Sequence, residues 1–374
     1  MFRIRLFLLL NPLHCIGKEM KISFLKLVCS MFFLCALTQA ATAQTGSDRV
    51  SVMTYNVENL FDWQHDKGKN DLTYLPKAEK QNAAQRYVCS GMRREKWRDQ
   101  CLNYDWSEPN VRKKMEQLSK VVLSVNKGRG PDVLILQEVE NKNILDLFRN
   151  DFLRAASYET AVLIEGPDAR GIDVALLSRL PLNGKAKTHG IPFKSISKER
   201  AMDTRPILEV PLKLPDGSPL HVFGVHFPAP YHPWKMRKEA FNFLNTLIKD
   251  LPKNATAVAG GDFNVPSEEE KKRRLFKDIA GSKWQVAFYE GCSKCKGSHY
   301  YAPKNSWSFL DSLLLAKKSK TKGAQKVWSL DTASIKVVKT PVQLNDKGHP
   351  QSFDLKTKEG ASDHLPVYAE IAFY

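Results

Sequence analysis

Apolar and polar positions change rhythm in short blocks along the chain, and each rhythm predicts an element. Val50-Ser51-Val52-Met53-Thr54-Tyr55 alternates and is rich in β-formers, so it predicts a strand ending at Asn56. From Val111 to Val125 the apolar residues fall at 111, 115, 118, 121, 122 and 125, the spacing of an amphipathic helix laid on a core. Gly128-Arg129-Gly130-Pro131 ends that helix, and Asp132–Leu136 follows as a buried-type strand. A short helix is expected over Asn141–Phe148. Strands are expected at Tyr158–Ile164, Arg170–Ser178, Ile207–Leu212 and Leu220–Val225. Lys235–Ile248 carries Met236, Ala240, Phe241, Leu244 and Ile248 on one helical face. Ala255–Ala259 reads as a strand, Glu268–Ile279 as a helix, Trp307–Leu315 as an apolar strand and Val367–Phe373 as the last strand. Strands alternating with helices predict an α/β architecture.

No repeat, low-complexity tract or linker divides the chain, so residues 48–374 read as a single domain. Residues 64–108 break the rhythm. They are polar and basic, with Arg93, Arg94, Lys96 and Arg98 among Trp97, Tyr104 and Trp106, and they read as an insertion. Basic residues interleaved with aromatics suit nucleic-acid contact. The plainer reading is a solvated surface loop with some helix.

The N-terminus reads as a processing signal. Met20 opens a basic stretch with Lys21 and Lys26, an apolar run covers Leu27–Leu37, and Ala41-Thr42-Ala43 fits a small-residue cleavage site. Met20 is taken as the true start and residues 1–43 as a removable signal, placing the protein in a periplasm or outside the cell. The apolar run is too short to cross a bilayer comfortably, so no stable membrane anchor is expected. Three cysteines fall in that segment, leaving Cys89, Cys101, Cys292 and Cys295. An even number in an exported chain predicts two disulfides, with the local pairs Cys89–Cys101 and Cys292–Cys295 favoured; a four-cysteine zinc site is the alternative. The formal net charge is +17, and residues 1–43 account for little of it. A basic exported protein meets polyanions such as nucleic acid, anionic membrane or acidic polysaccharide.

The candidate chemistry sits where strands end. Val258-Ala259-Gly260-Gly261-Asp262-Phe263-Asn264 delivers a carboxylate and an amide two positions apart, which on extended backbone point the same way. The paired glycines are expected to let the chain bend and a substrate approach. Asn56 and Glu58 repeat that spacing after the first strand. Glu138 directly follows a buried strand, where a carboxylate is costly unless it is paired or bound to metal. His226 ends another strand. Asp311 stands alone in an apolar strand and needs a partner, and Asp363-His364 before the last strand suggests an Asp311–His364 hydrogen bond that fixes the imidazole tautomer. Arg205, in Asp203-Thr204-Arg205-Pro206, is a candidate phosphate contact. Each feature alone has a bland reading as a polar turn. Together they predict a hard divalent cation, Mg²⁺ or Mn²⁺, at a phosphate-binding surface.

The ordered set Thr-Tyr-Asn-Val-Glu-Asn, Leu-Gln-Glu-Val, Gly-Ile-Asp-Val-Ala-Leu-Leu-Ser, Gly-Val-His-Phe, Gly-Gly-Asp-Phe-Asn, Ser-Phe-Leu-Asp and Ser-Asp-His-Leu-Pro resembles the endonuclease/exonuclease/phosphatase superfamily. The export signal and cysteines make it look most like the secreted, deoxyribonuclease-I-like branch. The resemblance implies a four-layer sandwich: two mainly antiparallel β-sheets face to face with helices outside. It implies metal-dependent hydrolysis of a phosphodiester, most naturally by an endonuclease acting on DNA, with RNA as a further candidate substrate, as a monomer. Ca²⁺ is a further candidate as a structural ion. By resemblance, Glu138 is the principal metal ligand with Asn56 and Glu58 beside it, and Asp363 ligates or supports the metal. His364, held by Asp311, acts as base or phosphate stabiliser. Asp262 orients the attacking water, Asn264 contacts phosphate, and His226 serves the leaving oxygen. A sphingomyelinase-type lipid phosphodiesterase and a non-catalytic binding module are the other readings. The former would need an exposed aromatic loop, for which Tyr300-Tyr301 and Tyr231-His232-Pro233-Trp234 are thin candidates.

Overall fold

Alternation within the strands sorts their side chains onto two faces, and two six-stranded sheets result. The computed structural model describes residues 48–317 and 327–374. The expected signal segment lies outside the described residues. In the first sheet the order is β13 (Trp328–Val337), β14 (Val367–Phe373), β1 (Arg49–Leu60), β2 (Val133–Val139), β4 (Asp173–Ser178) and β3 (Thr160–Leu163). In the second it is β5 (Lys187–His189), β6 (Ile207–Lys213), β7 (Pro219–His226), β8 (Thr256–Asp262), β12 (Asp311–Ala316) and β9 (Trp284–Val286). Each sheet is antiparallel except for one parallel pair at its centre, β1 beside β2 and β7 beside β8. Those parallel pairs bring their carboxyl ends to the same edge, which is where the site forms.

Three buried clusters mark the layers. Val50, Val52, Val133, Ile135, Val222, Val258 and Leu313 pack between the sheets. Their neighbours Met53, Leu134 and Leu136 face outward onto α3 (Glu108–Val122) and α4 (Lys142–Leu147). Phe223, Val225 and Ala259 face the other way onto α6 (Trp234–Leu247). The helix–sheet–sheet–helix sandwich is therefore the expected one. Gly260 and Gly261 serve this packing. A Cβ on Gly260 would lie 2.7 Å from Ile135 of the facing sheet, and one on Gly261 would lie 1.9 Å from the Val225 carbonyl. The expectation that these glycines admit a substrate is corrected: they let two sheets and two strands close up.

Several boundaries differ from expectation for physical reasons. Trp307–Leu315 is not one strand. β11 (Ser306–Ser308) pairs with β10 (His299–Tyr301) as a separate hairpin, and the chain breaks at Phe309-Leu310, where the Leu310 carbonyl accepts the Phe263 amide, before β12 begins. The helix expected over Glu268–Ile279 stops as α7 (Ser267–Arg273), because Glu270 turns its carboxylate onto the Phe276 and Lys277 amides and Arg274 takes a left-handed conformation. Strand β13 gave no clear alternation because it is a half-exposed edge strand with a register shift between Asp331 and Lys336.

The 64–108 segment is more than a solvated loop. It holds α1 (Ala83–Ser90) and α2 (Glu95–Asn103), joined by the Cys89–Cys101 disulfide. Tyr74 stacks on Phe61 with ring centroids 4.1 Å apart, and the Trp106 indole donates to the Phe61 carbonyl at 3.0 Å. Arg93, Arg94 and Lys96 stay exposed, and Arg98 donates to the Met92 carbonyl. Cys292–Cys295 forms the second disulfide, so these cysteines do not make the alternative zinc cluster.

Candidate active site

The site begins with side-chain-capped turns at two strand ends. Asn56 accepts the Glu58 amide at 3.0 Å, with Glu58 and Asn59 both at positive φ. Asp262 accepts the Asn264 amide at 2.8 Å, with Asn264 also at positive φ. The expectation that each pair lies together by strand alternation is thus corrected. A left-handed turn, closed by the first residue's own side chain, brings i and i+2 together. Glu138 is likewise left-handed, at φ 66° inside β2. Such conformations cost on the order of 1 kcal/mol or more each for non-glycine residues, and they gather where chemistry is placed.

These turns interlock across the sandwich. The Asn56 amide donates to Asp262 at 3.2 Å and to Glu138 at 3.4 Å. The other Glu138 oxygen accepts the Asn59 amide at 3.0 Å. His226 Nε2 lies 3.7 Å from Asp262 and 3.8 Å from Glu138. Asn264 donates to Asp262 and to the Phe227 carbonyl, each at 3.0 Å. The Asp311–His364 bond expected from the sequence is present at 2.7 Å through Nδ1, and Nε2 lies 3.9 Å from Asp363. Glu58 lies near enough to Glu138 to feel its charge. Its two oxygens accept the Ser352 hydroxyl and the Asp363 amide. The buried Lys114 ammonium, donating to the Ala361 carbonyl, sits behind Glu58 and Asp363.

One cavity of about 380 Å³ gathers Glu138, Arg205, His226, Asp262, Asn264 and His364. Asn56, Asp311 and Asp363 stand outside its lining, in contact with residues that form it, and Glu58 is joined to it through Asp363. A larger opening of about 550 Å³ lies at the far ends of β7 and β8, around Leu251, Ala255 and Trp328, and has no cluster of acids and histidines. The cavity also contains residues the sequence did not single out, Asn70, Arg170 and Arg200, together with Tyr231 and His232, which it had offered only as an aromatic loop. A faint signal existed for Arg170, which sits in a turn punctuated by Gly166-Pro167 and Gly171 just before β4.

Burial and like charge dominate the electrostatics. Burial, reinforced by Asp311, pushes the Asp262 carboxyl up to about 8. Burial, reinforced by Asp363, pushes Glu58 to about 8, and burial also raises Asp363. Burial next to Arg205 and Arg170 holds His226 well below the ordinary imidazole value. Burial would lower His364 too, but Asp311 and Asp363 outweigh it and hold it well above. One Asp311 oxygen is buried without a partner. Crowded carboxylates that raise one another's pKa, with an orphaned oxygen among them, fit a hard divalent cation. Ligand atoms of Asp262, Asp311 and His364 lie within 4.8 Å of one another, as do those of His299, Asp363 and His364.

Comparison with known proteins agrees with this architecture. The structure is similar to that of a D. rerio TDP2 humanized by 14 mutations, with TM-score 0.50 and 15% identity, covering 87% of this chain and 99% of that one. It is also similar to an endonuclease/exonuclease/phosphatase family protein from Bacteroides thetaiotaomicron, with TM-score 0.50 and 14% identity, covering 87% and 98%. At such identities the likeness is one of fold. No curated protein sequence is significantly similar to the chain. The family model of the Endonuclease/Exonuclease/phosphatase family matches residues 92–373, so the chain belongs to that family.

Proposed function

We propose that the protein is a divalent-metal-dependent phosphodiesterase that hydrolyses polynucleotides, DNA foremost. The observation that carries this reading is His364, held by Asp311, sharing one cavity with Glu138, Asp262, His226 and Arg205. Glu138, supported by Asp363 and Glu58, would hold the cation, whose chemistry is to offset charge on the phosphate oxygens. Asp262 orients the attacking water and accepts its proton, held by the Asn56 and Asn264 amides. Asp311 keeps the His364 Nδ1 proton in place, so Nε2 faces the phosphate. His226, 3.7 Å from Asp262, would hydrogen-bond the leaving oxygen. Asn264 and Arg205 contact the phosphate.

Export is part of the proposal. It rests on the apolar segment before Ala43 and on the two disulfides. Among the described residues no helix is long and apolar enough to cross a membrane. The strongly exposed Tyr231 and Tyr301 favour a lipid phosphodiester as the second reading. Against it, a cationic choline headgroup would meet the arginines of the cavity.

Cleavage of supercoiled plasmid by the purified protein tests this function, with EDTA and His364→Ala as controls. Metal-dependent nicking that disappears in the variant is expected. A folded protein that nicks neither DNA nor RNA would overturn the polynucleotide reading, and hydrolysis of sphingomyelin instead would support the second.

A further inference from the structure

The cavity is lined by two unlike sets of residues. Glu138, His226, Asp262 and His364 form one, while Arg170, Arg200 and Arg205, with Tyr231 and His232, form the other. The arginines differ in what already holds them. Arg205 is tied to Asp168 at 2.7 Å and to the His226 carbonyl at 3.3 Å. Arg200 is tied to Asp203 at 2.7 Å and lies 3.1 Å from His232 Nε2. The Arg170 side chain is exposed into the cavity and has no hydrogen-bond or ion-pair partner among the described residues.

The Arg170 backbone, by contrast, is held from several directions. Asp168 accepts the Arg170 amide at 2.9 Å with one oxygen and Arg205 with the other. Lys69 donates to the Gly166 and Asp168 carbonyls at 3.1 and 3.0 Å. The Ala169 amide donates to Asp203 at 2.8 Å, and the Ala169 carbonyl accepts the Asn70 amide at 2.7 Å. Gly171, at φ 78°, closes the turn. A fixed backbone presenting an unpaired guanidinium is a preorganised anion site. At about 380 Å³ the cavity is in the range that encloses a nucleotide-sized ligand, more than one phosphate requires. Tyr231, 83% exposed and 4.2 Å from the His232 ring, offers a surface for a base to stack on.

We propose that Arg170, flanked by Arg200 and Arg205, forms a subsite for the phosphate next to the scissile one in a polynucleotide. This rests on the phosphodiesterase reading above and adds to it a second recognised charge. A guanidinium that served only to offset Glu138 would act equally on every diester. A subsite acts only on substrates that carry the neighbouring phosphate.

Thymidine dinucleotides separate the two. TpT has a single diester, and pTpT and TpTp add one phosphate on either side. The wild-type protein is expected to bind one of the phosphorylated dinucleotides about tenfold better than TpT, read as KM. Arg170→Ala should erase that preference, read as the ratio of the KM values, and leave the melting temperature unchanged. Equal loss on all three substrates, or no change on any, overturns the subsite. Failure of the wild type to cleave any of the three would instead count against the phosphodiesterase reading. The subsite is then judged by fluorescence anisotropy of a labelled thymidine octanucleotide in EDTA. A roughly tenfold weaker Kd for Arg170→Ala supports it, and an unchanged Kd overturns it.

Discussion

The two sides of the cavity are made in opposite ways. The acid–histidine side comes from the carboxyl ends of the central parallel pairs: Glu138 from β2, His226 from β7 and Asp262 from β8. His226 and Asp262 are buried and Glu138 is half-buried, and Asn56 bonds both Asp262 and Glu138 across the sheets. The arginine side comes from connections between strands, with Arg170 before β4, Arg200 on α5 (Lys198–Met202) and Tyr231-His232 after β7. Its members are more exposed and are held from behind by Asp168, Asp203 and the Arg237 network. The first side is rigid because the sandwich core fixes it, and it suits chemistry. The second can vary with little cost to the fold, and it suits substrate selection.

The largest test of this division falls on the acid side. Glu138→Gln should lower kcat/KM roughly a thousandfold or more while the protein stays folded, read by steady-state kinetics beside thermal melting. A comparable loss from removing Arg170 would erase the contrast between the sides.

Next in size is the support behind the arginine side. Arg237 is fully buried on α6, paired with Glu269, and donates to the Pro228, Ala229 and His232 carbonyls. Arg237→Ala strands all of these partners and should cost about 3–5 kcal/mol of stability in a denaturant titration. Asp311→Asn should keep the fold and lower kcat about a hundredfold, because His364 loses the carboxylate whose charge and acceptor-only oxygens fix its tautomer. His364→Gln combined with Asp311→Asn should then be no worse than His364→Gln alone.

A smaller effect separates the sides through pH. Asp262 and Glu58 ionise near 8 in the folded protein, against ordinary values of 3.8 and 4.5. Between those limits the folded state binds more protons than the unfolded one, so stability falls as pH rises. In EDTA the melting temperature should therefore drop between pH 4.5 and 8, and Mg²⁺ should flatten that drop. Asp262→Asn should flatten part of it without metal.

The smallest effect lies in the second sheet, away from the cavity. Burial would raise the Glu209 carboxyl, but hydrogen bonds from His221 and His189, with Lys187 nearby, hold it at about 2 against an ordinary 4.5. A depressed carboxyl stabilises the fold above its unfolded value, and that stabilisation is lost as pH falls from 4.5 toward 2. Glu209→Gln should lower the melting temperature at pH 7 and make the acid decline shallower.

The same contrast explains what the sequence disclosed. Strand-end residues could be read because buried strands advertise themselves by apolar runs, and a polar residue that ends such a run is conspicuous. Glu138, His226, Asp262 and the Asp311–His364 pair were found that way. The turns that set their geometry were not. Positive φ at Glu58, Glu138 and Asn264 leaves no mark in apolar periodicity, and neither does the contact of Glu58 with Ser352. Arg170 and Arg200 were missed because a loop arginine in a basic chain looks like any other. What distinguishes Arg170 is a missing partner, which only the fold reveals. The basic 64–108 segment drew attention by composition, yet of that segment only Asn70 lines the cavity, and Lys69 acts by anchoring the Arg170 loop.

The most direct test of the acid–histidine side is the hydrolysis rate of bis(p-nitrophenyl) phosphate across a Mg²⁺ titration, for the wild type and Asp262→Asn. This substrate has one phosphate and makes no use of the arginine subsite. Saturable metal dependence, abolished by EDTA, is expected in the wild type, with a loss of roughly a thousandfold in a variant that melts no lower. Hydrolysis that persists in EDTA, or a variant as fast as the wild type, would contradict the assignment of this cluster as the catalytic centre.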